Sequence, residues 1–387
     1  MKRPLLNRRL DGLGTSIFAE MSARAVATGA VNLGQGFPDV DGPREIAESA
    51  ANAILTGKGN QYPPGAGIPE LRAGVADHQR RCYGLVFNPE TEVLITAGAT
   101  EGIAAALLAL LEPGDEVIAF EPYYDSYTAN IAMAGAIRVP VTLRAPDFRP
   151  DLDRLADAIT DKTRLILLNS PHNPTGMVLT RAETQAIADL AIKKDLLVVT
   201  DEVYEHLTYD REHVPIASLE GMRERTVSVS SAGKTFSFTG WKVGWVTGTP
   251  EIVSAVRTTK QFLTFVASGP FQYAVADALA LPGEYFTSIA EDLKKKRDLF
   301  SAGLNEIGFD VYQPDGTYFI TTDVAPLGAG DGVEFCLSLP DRAGVVAIPS
   351  AVFYDDKEAG RTQVRFAFCK RTEILEEALT RLAVLSR

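Results

Sequence analysis

The sequence predicts an α/β fold in which a mostly parallel central sheet is covered by helices, together with a smaller α+β domain. Two observations lead to this prediction. Short aliphatic runs without polar alternation are separated by amphipathic stretches of helical length, which is typical of parallel strands buried on both faces. From about Tyr285 the pattern changes to short strand-like segments between helices.

The first part of the chain carries six candidate strands, each a short run of mainly apolar residues. They lie at residues 93–96, 117–120, 165–168, 196–199, 226–229 and 243–246. An Ala- and Leu-rich helix follows the first strand and ends at the turn formed by residues 112–115. A further helix is expected at residues 181–193. Alternating strands and helices indicate a mostly parallel sheet.

The second part of the chain predicts the smaller domain. It contains a helix with a basic run at residues 294–297, strand-like segments near residues 318–320, 345–348 and 364–366, and a final amphipathic helix from about Thr372. We interpret the basic run as a solvated helix face. We expect a large domain at residues 45–285, and a small domain with an amino-terminal arm at residues 1–44 and 286–387.

Composition and charge exclude several classes of protein. The chain has 387 residues, of which 46% are apolar and 23% charged, so it is neither disordered nor fibrous. A net charge of -12 argues against general binding to nucleic acid. The longest apolar run is far shorter than the roughly 20 residues of a membrane span, and no signal peptide is recognisable. A soluble, cytoplasmic protein without a membrane partner is therefore expected.

Cysteine and histidine spacing predicts neither disulfides nor a metal centre. Cys82, Cys336 and Cys369 are widely separated and form no CxxC pair. The four histidines show no HxxxH or HExxH spacing. We therefore expect no bound metal.

Small or polar residues follow several of the predicted strands, where ligands bind in open α/β sheets. The turn at residues 96–102 consists mostly of small residues and precedes a helix, so it is either an anion site or an ordinary helix cap. It has neither the GxGxxG nor the GxxxxGK[ST] pattern, which disfavours dinucleotide and nucleoside-triphosphate sites. In the loop at residues 169–176, Asn173 is held extended by Pro174. Its amide is a candidate ligand for a substrate oxygen.

Two charged positions follow later strands. Asp201 comes directly after a strand, where a carboxylate either needs a positive partner or caps a helix. Lys234 lies among small and hydroxyl residues, and Lys242 follows next to Gly240 and Trp241. A lysine in such a setting is either a surface residue or a former of Schiff bases.

The order of these features is more specific than any one of them. Asn173 is followed by Asp201 and Tyr204, and then by Ser231 and Lys234, each group after a strand. This order matches a site for pyridoxal phosphate. That cofactor needs a lysine for its Schiff base, an acid at the pyridine nitrogen, donors to the ring oxygen and a phosphate cup. The sequence supplies a candidate for each.

Nearly the whole chain resembles the class I/II aminotransferases of the fold-type I pyridoxal-phosphate family. The resemblance is carried by NLGQGFPD (32–39), NQYPPGAGIPELR (60–72), EPYYDSY (121–127), SPHNPTG (170–176), TDEVYEHL (200–207), SAGKTFSFTGWKVGW (231–245) and VRFAFCK (364–370). It is strongest to the branch of kynurenine aminotransferase/glutamine transaminase K and methionine aminotransferases. Within that branch, MSARAVATGAVNLGQGFPD and EFCLSLPDRAGVVAIP are most similar to actinobacterial N-succinyldiaminopimelate aminotransferases.

The resemblance implies a role for individual residues toward the cofactor. Lys234 would carry the cofactor, Asp201 would pair with the pyridine nitrogen, and Tyr123 would stack on the ring. Asn173 and Tyr204 would bind the ring oxygen. The phosphate would be held by Ala99, Thr100, Ser231 and Lys242. Lys242 stands where many class I members have Arg, and we interpret it as a marker of the kynurenine branch.

The resemblance also implies a homodimer and a substrate site. Tyr62 would reach the phosphate of the neighbouring subunit. Arg365 would clamp the substrate α-carboxylate, assisted by Asn173, and Gly36 would allow close approach of the substrate. Phe18 and Phe265 would line the side-chain pocket.

These roles predict an aminotransferase that moves an amino group between an amino acid and a 2-oxo acid, with Lys234, Asp201 and Tyr204 in the catalytic centre. The preferred hypothesis is an N-succinyl-LL-diaminopimelate aminotransferase of lysine biosynthesis that uses 2-oxoglutarate and glutamate. A kynurenine, glutamine or methionine aminotransferase and a cysteine-conjugate β-lyase are the alternatives. A non-catalytic regulator with the same fold is disfavoured, because about 30 residues before the first motif leave no room for a DNA-binding module. A distal substrate carboxylate favours a basic pocket residue, for which Lys260 is the candidate.

Overall fold

A seven-stranded sheet lies at the centre of the structure, which is a computed structural model that describes residues 5–12 and 17–386. The strands of the chain are, in order, β1 (Val31–Asn32), β2 (Val93–Thr96), β3 (Glu116–Glu121), β4 (Ile137–Thr142), β5 (Thr163–Asn169), β6 (Leu197–Asp201), β7 (Thr226–Ser231), β8 (Gly244–Thr247), β9 (Asp310–Tyr312), β10 (Phe319–Asp323), β11 (Val345–Val346), β12 (Ile348–Pro349) and β13 (Gln363–Ala367). The central sheet has the order β2-β8-β7-β6-β5-β3-β4, and β8 runs antiparallel to both of its neighbours while the other neighbouring pairs are parallel. The prediction of a mostly parallel α/β sheet is confirmed.

Helices pack on both faces of this sheet and against the smaller sheets. They are α1 (Ile17–Thr28), α2 (Arg44–Leu55), α3 (Pro69–Tyr83), α4 (Gly98–Leu110), α5 (Asp125–Ala134), α6 (Leu152–Ala158), α7 (Arg181–Lys193), α8 (Ala232–Thr235), α9 (Pro250–Lys260), α10 (Gly269–Leu279), α11 (Gly283–Ile307), α12 (Gly332–Ala343) and α13 (Thr372–Leu382). Within the part of the chain that the structure describes, none of these helices is long and apolar enough to cross a membrane.

Alternate residues of the strands divide the core between the two faces, because successive side chains of a strand point in opposite directions. Leu94 and Val246 belong to the cluster that includes apolar residues of α4 and α9. Their neighbours Ile95 and Trp245 belong to the cluster formed with α2, α3 and α10. Both faces of the sheet are therefore buried against apolar side chains, which explains why these strands are almost uniformly apolar.

Parallel pairing brings the carboxyl ends of three strands to one edge of the sheet. Asn169 at the end of β5 lies opposite Asp201 at the end of β6, and Asp201 lies opposite Val229 of β7. The next residues after β7 form α8, which carries Lys234. Segments that are far apart in sequence thus meet at this edge, as expected for a ligand site in an α/β sheet.

The second half of the chain forms a smaller antiparallel sheet with the order β12-β13-β10-β9. The amino-terminal strand β1 pairs in parallel with β11. The single strand predicted at residues 345–348 is wrong, because β11 and β12 belong to different sheets and Ala347 lies between them. These sheets lie in the segments assigned to the small domain, whose boundaries stay a prediction.

The basic run on α11 is only partly a solvated face. Arg297 is 4% exposed and donates hydrogen bonds to Asp210 at 2.8 Å and to the backbone oxygen of Pro314 at 3.0 Å. Its guanidinium also lies 4.9 Å from the ring centre of Tyr209. The sequence interpretation is therefore wrong for Arg297, because the helix turns this side chain toward the loop after β6 rather than toward solvent.

Candidate active site

A cavity of about 410 Å³ lies at the carboxyl edge of the central sheet. Most of the residues predicted from the sequence line it: Phe18, Gly36, Ala99, Thr100, Asn173, Asp201, Tyr204, Ser231, Lys234, Lys242 and Arg365. They come from both halves of the chain, because β13 of the smaller sheet supplies Arg365. The fold therefore brings together side chains that are far apart in the sequence.

Lys234 lines the cavity from α8, which begins directly after β7. Its Nζ donates to the backbone oxygen of Gly36 at 3.3 Å and lies 5.7 Å from the ring centres of both Tyr204 and Tyr318. Burial among these groups lowers the pKa of Lys234 to about 8. A substantial fraction of this amine is therefore neutral in mildly basic solution, which suits a nucleophile that forms Schiff bases.

Asp201 is a buried carboxylate at the end of β6. Its Oδ2 accepts a hydrogen bond from the Tyr127 hydroxyl at 2.7 Å, and its Oδ1 accepts one from the backbone N–H of Val203 at 3.3 Å. Burial raises the pKa of Asp201 to about 6. A cationic group of a ligand placed against this carboxylate would stabilise its charged form.

The start of α4 forms an anion-binding corner of the cavity. Gly98 has a φ of 75°, which allows the chain to turn sharply from β2 into the helix. The Nζ of Lys242 lies 3.2 Å from the point that a Cβ on Gly98 would occupy, so the ammonium stands beside the helix amino terminus. Ala99, Thr100 and Ser231 line the same cavity. Backbone N–H groups, the helix dipole and a lysine together favour a phosphate-like ligand.

Arg365 is the third cationic side chain that lines the cavity, and it is 1% exposed. It donates to Asn173 Oδ1 and to the backbone oxygen of Gly34, both at 3.0 Å. Its Nε has no hydrogen-bond partner among the residues that the structure describes. Burial lowers the pKa of Arg365 to about 10. Because its two partners are neutral, the guanidinium has unused capacity for a carboxylate.

Aromatic rings fix the orientation of Arg365. Its guanidinium carbon lies 4.0 Å from the ring centre of Phe319, 5.1 Å from that of Phe353 and 5.3 Å from that of Phe18. Gly36 completes this wall, since a Cβ there would lie 2.5 Å from Phe319. The glycine is therefore required for the close packing of backbone, ring and guanidinium.

Comparison with known proteins identifies the family. The family "Aminotransferase class I and II" matches residues 28–382. This chain belongs to that family. A protein of Mycobacterium tuberculosis called a probable N-succinyldiaminopimelate aminotransferase is 50% identical, with 98% of each chain covered. The methionine aminotransferase of Escherichia coli is 39% identical, with 97% of each chain covered. The solved structure of N-succinyldiaminopimelate aminotransferase from M. tuberculosis superposes with a TM-score of 0.96, covering 98% of this chain and all of that one.

One residue predicted for this aminotransferase site is displaced by a single position. Tyr123 does not line the cavity: it is 3% exposed, and its ring faces the Arg138 guanidinium at 5.5 Å. The neighbouring Tyr124 lines the cavity instead. The backbone N–H of Tyr123 donates to the backbone oxygen of Phe353 at 3.0 Å. This bond holds Tyr123 against the turn after β12 and leaves the next residue to face the cavity.

Three other predicted residues lie away from this chain's own cavity. Tyr62 and Phe265 are 81% and 54% exposed and touch each other with ring centres 5.4 Å apart. Lys260 is fully buried, but its Nζ donates to the backbone oxygens of Phe265 at 2.8 Å and Gly65 at 3.4 Å. Lys260 is therefore wrong as the ligand of a distal carboxylate, because its ammonium holds the loop after α9.

The structure adds residues that sequence reasoning did not single out. Asn169 donates to the backbone oxygen of Asp201 at 2.8 Å and accepts from the backbone N–H of Asn173 at 2.8 Å, so it ties two functional segments together. Tyr127 supports Asp201, and Tyr318 donates to Gly36 at 2.6 Å. Asn169 directly follows an apolar run and could have been found by its position, whereas the other contacts depend on the tertiary fold.

Proposed function

We propose that this aminotransferase uses pyridoxal 5′-phosphate and moves an amino group between N-succinyl-LL-diaminopimelate and the 2-oxoglutarate/glutamate pair. The substrate assignment rests on one observation, the 50% identity to the M. tuberculosis relative across 98% of both chains. The more distant methionine aminotransferase carries less weight at 39% identity.

The donor set of the cavity fits the proposed cofactor. Lys234 supplies an amine for the aldehyde, and Asp201 supplies a buried carboxylate for the pyridine nitrogen. The start of α4 with Lys242 supplies a cationic corner for the phosphate. No carboxylate lies within ion-pair distance of Lys242 in the described part of the chain, which supports its assignment to an external anion.

The side chains of this protein would divide the work of transamination among them. Pyridoxal phosphate supplies an electron sink that stabilises negative charge at the substrate Cα. Arg365 binds the α-carboxylate and fixes the direction of the Cα–H bond. The amine of Lys234 would take the proton from Cα as a general base and then, as a general acid, deliver it to the cofactor carbon that carried the aldehyde. Asp201 preserves a positive charge at the ring nitrogen, and Asn173 with Tyr204 holds the ring oxygen.

Exposed aromatic residues support a homodimer as the functional unit. Phe262 and Leu263, which lie close to Phe265 in the sequence, are also exposed, by 82% and 46%. Exposed large apolar residues grouped in this way are typical of a protein–protein interface. We propose that Tyr62 reaches the phosphate site of the partner chain and that Phe265 lines the partner's substrate pocket.

Mixed dimers test this arrangement. Lys234→Ala and Tyr62→Ala chains are each expected to form weakly active or inactive dimers. If Tyr62 acts across the interface, a hybrid of the two variants contains one complete site and recovers activity. If Tyr62 serves its own chain, both sites of the hybrid are defective and activity does not return. Light scattering of the wild-type protein checks that it is dimeric.

An aromatic or sulfur amino acid is the second candidate donor, because the cavity wall is rich in rings. Phe18, Tyr124 and Phe319 all line it, whereas among the described residues its basic side chains are Lys234, Lys242 and Arg365. Each of these three already has a role toward the cofactor or the α-carboxylate. A distal carboxylate would therefore need a group from the partner chain or a water-mediated contact.

A panel of donors tests the proposed substrate. The holoenzyme is assayed with 2-oxoglutarate and N-succinyl-LL-diaminopimelate, methionine, kynurenine or glutamine, and glutamate formation is measured. We expect the highest kcat/KM for the succinylated donor. A higher kcat/KM for methionine or kynurenine would overturn the substrate assignment but leave the aminotransferase assignment intact. Release of pyruvate and ammonia from a cysteine conjugate without an oxo acid would instead indicate β-lyase activity.

A further inference from the structure

A cluster of metal-ligand side chains lies outside the cavity, between α3 and the turn after β6. His78 and Cys82 are one helical turn apart on α3 and therefore share one face of that helix. His206 lies in the turn that follows β6 and comes toward them from the other side. One ligand atom from each residue lies within 4.8 Å of the other two. This constellation is formed by the fold, and so spacing along the chain could not predict it.

The two imidazoles are already in contact. His78 Nε2 and His206 Nε2 are 2.7 Å apart, which is the distance of a shared hydrogen bond. The ring of Phe286 lies against both, with centres 5.8 Å from His78 and 4.4 Å from His206. Cys82 is exposed, so the cluster opens to solvent on the thiol side while the imidazole side is packed against an aromatic ring.

Hydrogen bonding in this region is incomplete. His78 is 1% exposed, and its Nδ1 has no partner among the described residues. The same holds for Oε2 of the adjacent Glu205 and for both ring nitrogens of His213, which packs edge-on against Tyr83 at 5.8 Å. Among the described residues, His78 is therefore held through one ring nitrogen, the Nε2 that contacts His206.

We propose that His78, Cys82 and His206 bind a zinc ion. Two imidazoles and one thiolate are the donors that Zn²⁺ prefers, and three protein ligands with an open fourth position are a usual coordination for this ion. A water molecule on the exposed side would complete the tetrahedron.

The two imidazoles and the thiol all have to adjust to admit the ion. The Cys82 Sγ lies within 4.8 Å of the nitrogens and would need to lie roughly 3.5 Å from them. Two nitrogens bound to zinc at about 2.0 Å in a tetrahedron are separated by roughly 3.3 Å. The imidazole nitrogens therefore need to part by about half an ångström from the hydrogen-bonded arrangement. His206 lies in a turn and is only partly buried, so it can make this adjustment. On binding, the thiol of Cys82 loses its proton to water. The imidazole that carried the shared proton on Nε2 binds as its other neutral tautomer, with the proton on Nδ1.

Binding at this place would connect α3 to the segment that carries Asp201 and Tyr204. Both residues precede His206 in the same strand and turn. The direct consequence is stabilisation of the folded chain, because an ion that binds only the native state shifts the folding equilibrium. The site is separate from the cofactor lysine, so zinc binding does not depend on the proposed substrate.

Metal titration of the holoenzyme tests the proposal. Purified protein is dialysed against Zn²⁺ at low micromolar concentration and its zinc content is measured per chain. We expect one ion per chain in the wild type and in Cys336→Ala, a control that removes a buried thiol elsewhere. Cys82→Ser lies at an exposed position and should fold normally. We expect it to bind zinc at least about 100-fold more weakly, the upper end of what loss of a supporting group costs a metal site.

Cobalt provides an independent signature of the thiolate. Wild-type protein with Co²⁺ should gain a thiolate-to-cobalt charge-transfer absorption, and subtraction of the Cys82→Ser spectrum removes the absorption of the cofactor. His206→Gln should weaken the band and lower zinc affinity. Equal zinc content in the wild type and Cys82→Ser, or a cobalt band that persists in Cys82→Ser, would overturn the proposal. Absence of bound zinc in the wild type would leave the histidine pair as a hydrogen bond and would also overturn it.

Discussion

Replacement of Arg365 by lysine separates the effect of charge from that of geometry. The guanidinium has five N–H groups, and in the structure two nitrogens donate to Asn173 and Gly34. Three N–H groups therefore remain for a substrate carboxylate. A lysine ammonium has three in total, so the same two acceptors leave it with one. The variant keeps the positive charge and loses the two-point contact with the carboxylate.

The size of the effect follows from the lost contact. One hydrogen bond to a charged group is worth roughly 1.5–3 kcal/mol, so we expect kcat/KM for an α-amino acid to fall by about 10- to 150-fold. The assay measures glutamate formation with a saturating oxo acid and varied donor. The corresponding amine without the α-carboxylate should react as slowly with the variant as with the wild type.

A matched control and two contrary outcomes make this test decisive. Arg361→Lys changes the same residue type at an exposed position that pairs with Glu358, and it should leave kcat/KM unchanged. A loss smaller than about threefold in Arg365→Lys would be too small for a charge-assisted hydrogen bond. An equal loss for the amino acid and for the amine would also show that Arg365 does not act on the carboxylate.

Three further predictions concern Lys234 and Asp201. Lys234→Ala should lose both the visible absorbance of bound cofactor and turnover, while Lys296→Ala keeps both; turnover at the wild-type rate would refute the assignment. Burial lowers the pKa of Lys234 to about 8, and the neutral amine is the nucleophile. The rate at which protein without cofactor takes up the cofactor, followed by absorbance, should therefore rise as the pH passes about 8. A rate independent of pH between 6 and 9 would contradict this. Burial raises the folded-state pKa of Asp201 to about 6 from 3.8, so folding loses stability as pH rises through this window. The free energy of unfolding of Asp201→Asn should therefore exceed that of the wild type by about 1–3 kcal/mol at pH 8 and be almost equal to it at pH 4, although its turnover falls. Denaturant titrations of both proteins without cofactor measure this difference. Equal stability of the two proteins at pH 8 would refute the argument.

The residues that follow strands were predictable from sequence because strand ends are fixed by local pattern. Asp201, Asn173 and Lys234 each come after an apolar run, and parallel pairing brings these ends together whatever the details of packing. Their presence around one cavity needs no knowledge of individual rotamers. The α/β class and most strand positions were predictable for the same reason.

Residues whose orientation depends on tertiary contacts were not predictable. Tyr123 and Tyr124 are the same residue type in one turn, and a backbone hydrogen bond from Tyr123 to Phe353 determines which of them faces the cavity. Lys260 has the charge of a pocket cation, but its ammonium donates to the backbone oxygens of Gly65 and Phe265 instead. His78 and His206 lie on separate elements, so only the packing of α3 against the sheet brings them together.

The charges of the cavity explain why an acidic protein can be specific for anions. The chain carries a net charge of -12, yet Lys234, Lys242 and Arg365 face one cavity of about 410 Å³. Burial disfavours the charged forms of Lys234, Arg365 and Asp201 alike, which lowers the pKa of the two cations and raises that of the acid. A ligand that brings a phosphate, a carboxylate and a cationic ring nitrogen opposes each of these shifts at once. Burying these charges destabilises the folded protein, and binding of such a ligand offsets that destabilisation. A ligand that lacks any of the three groups offsets less of it.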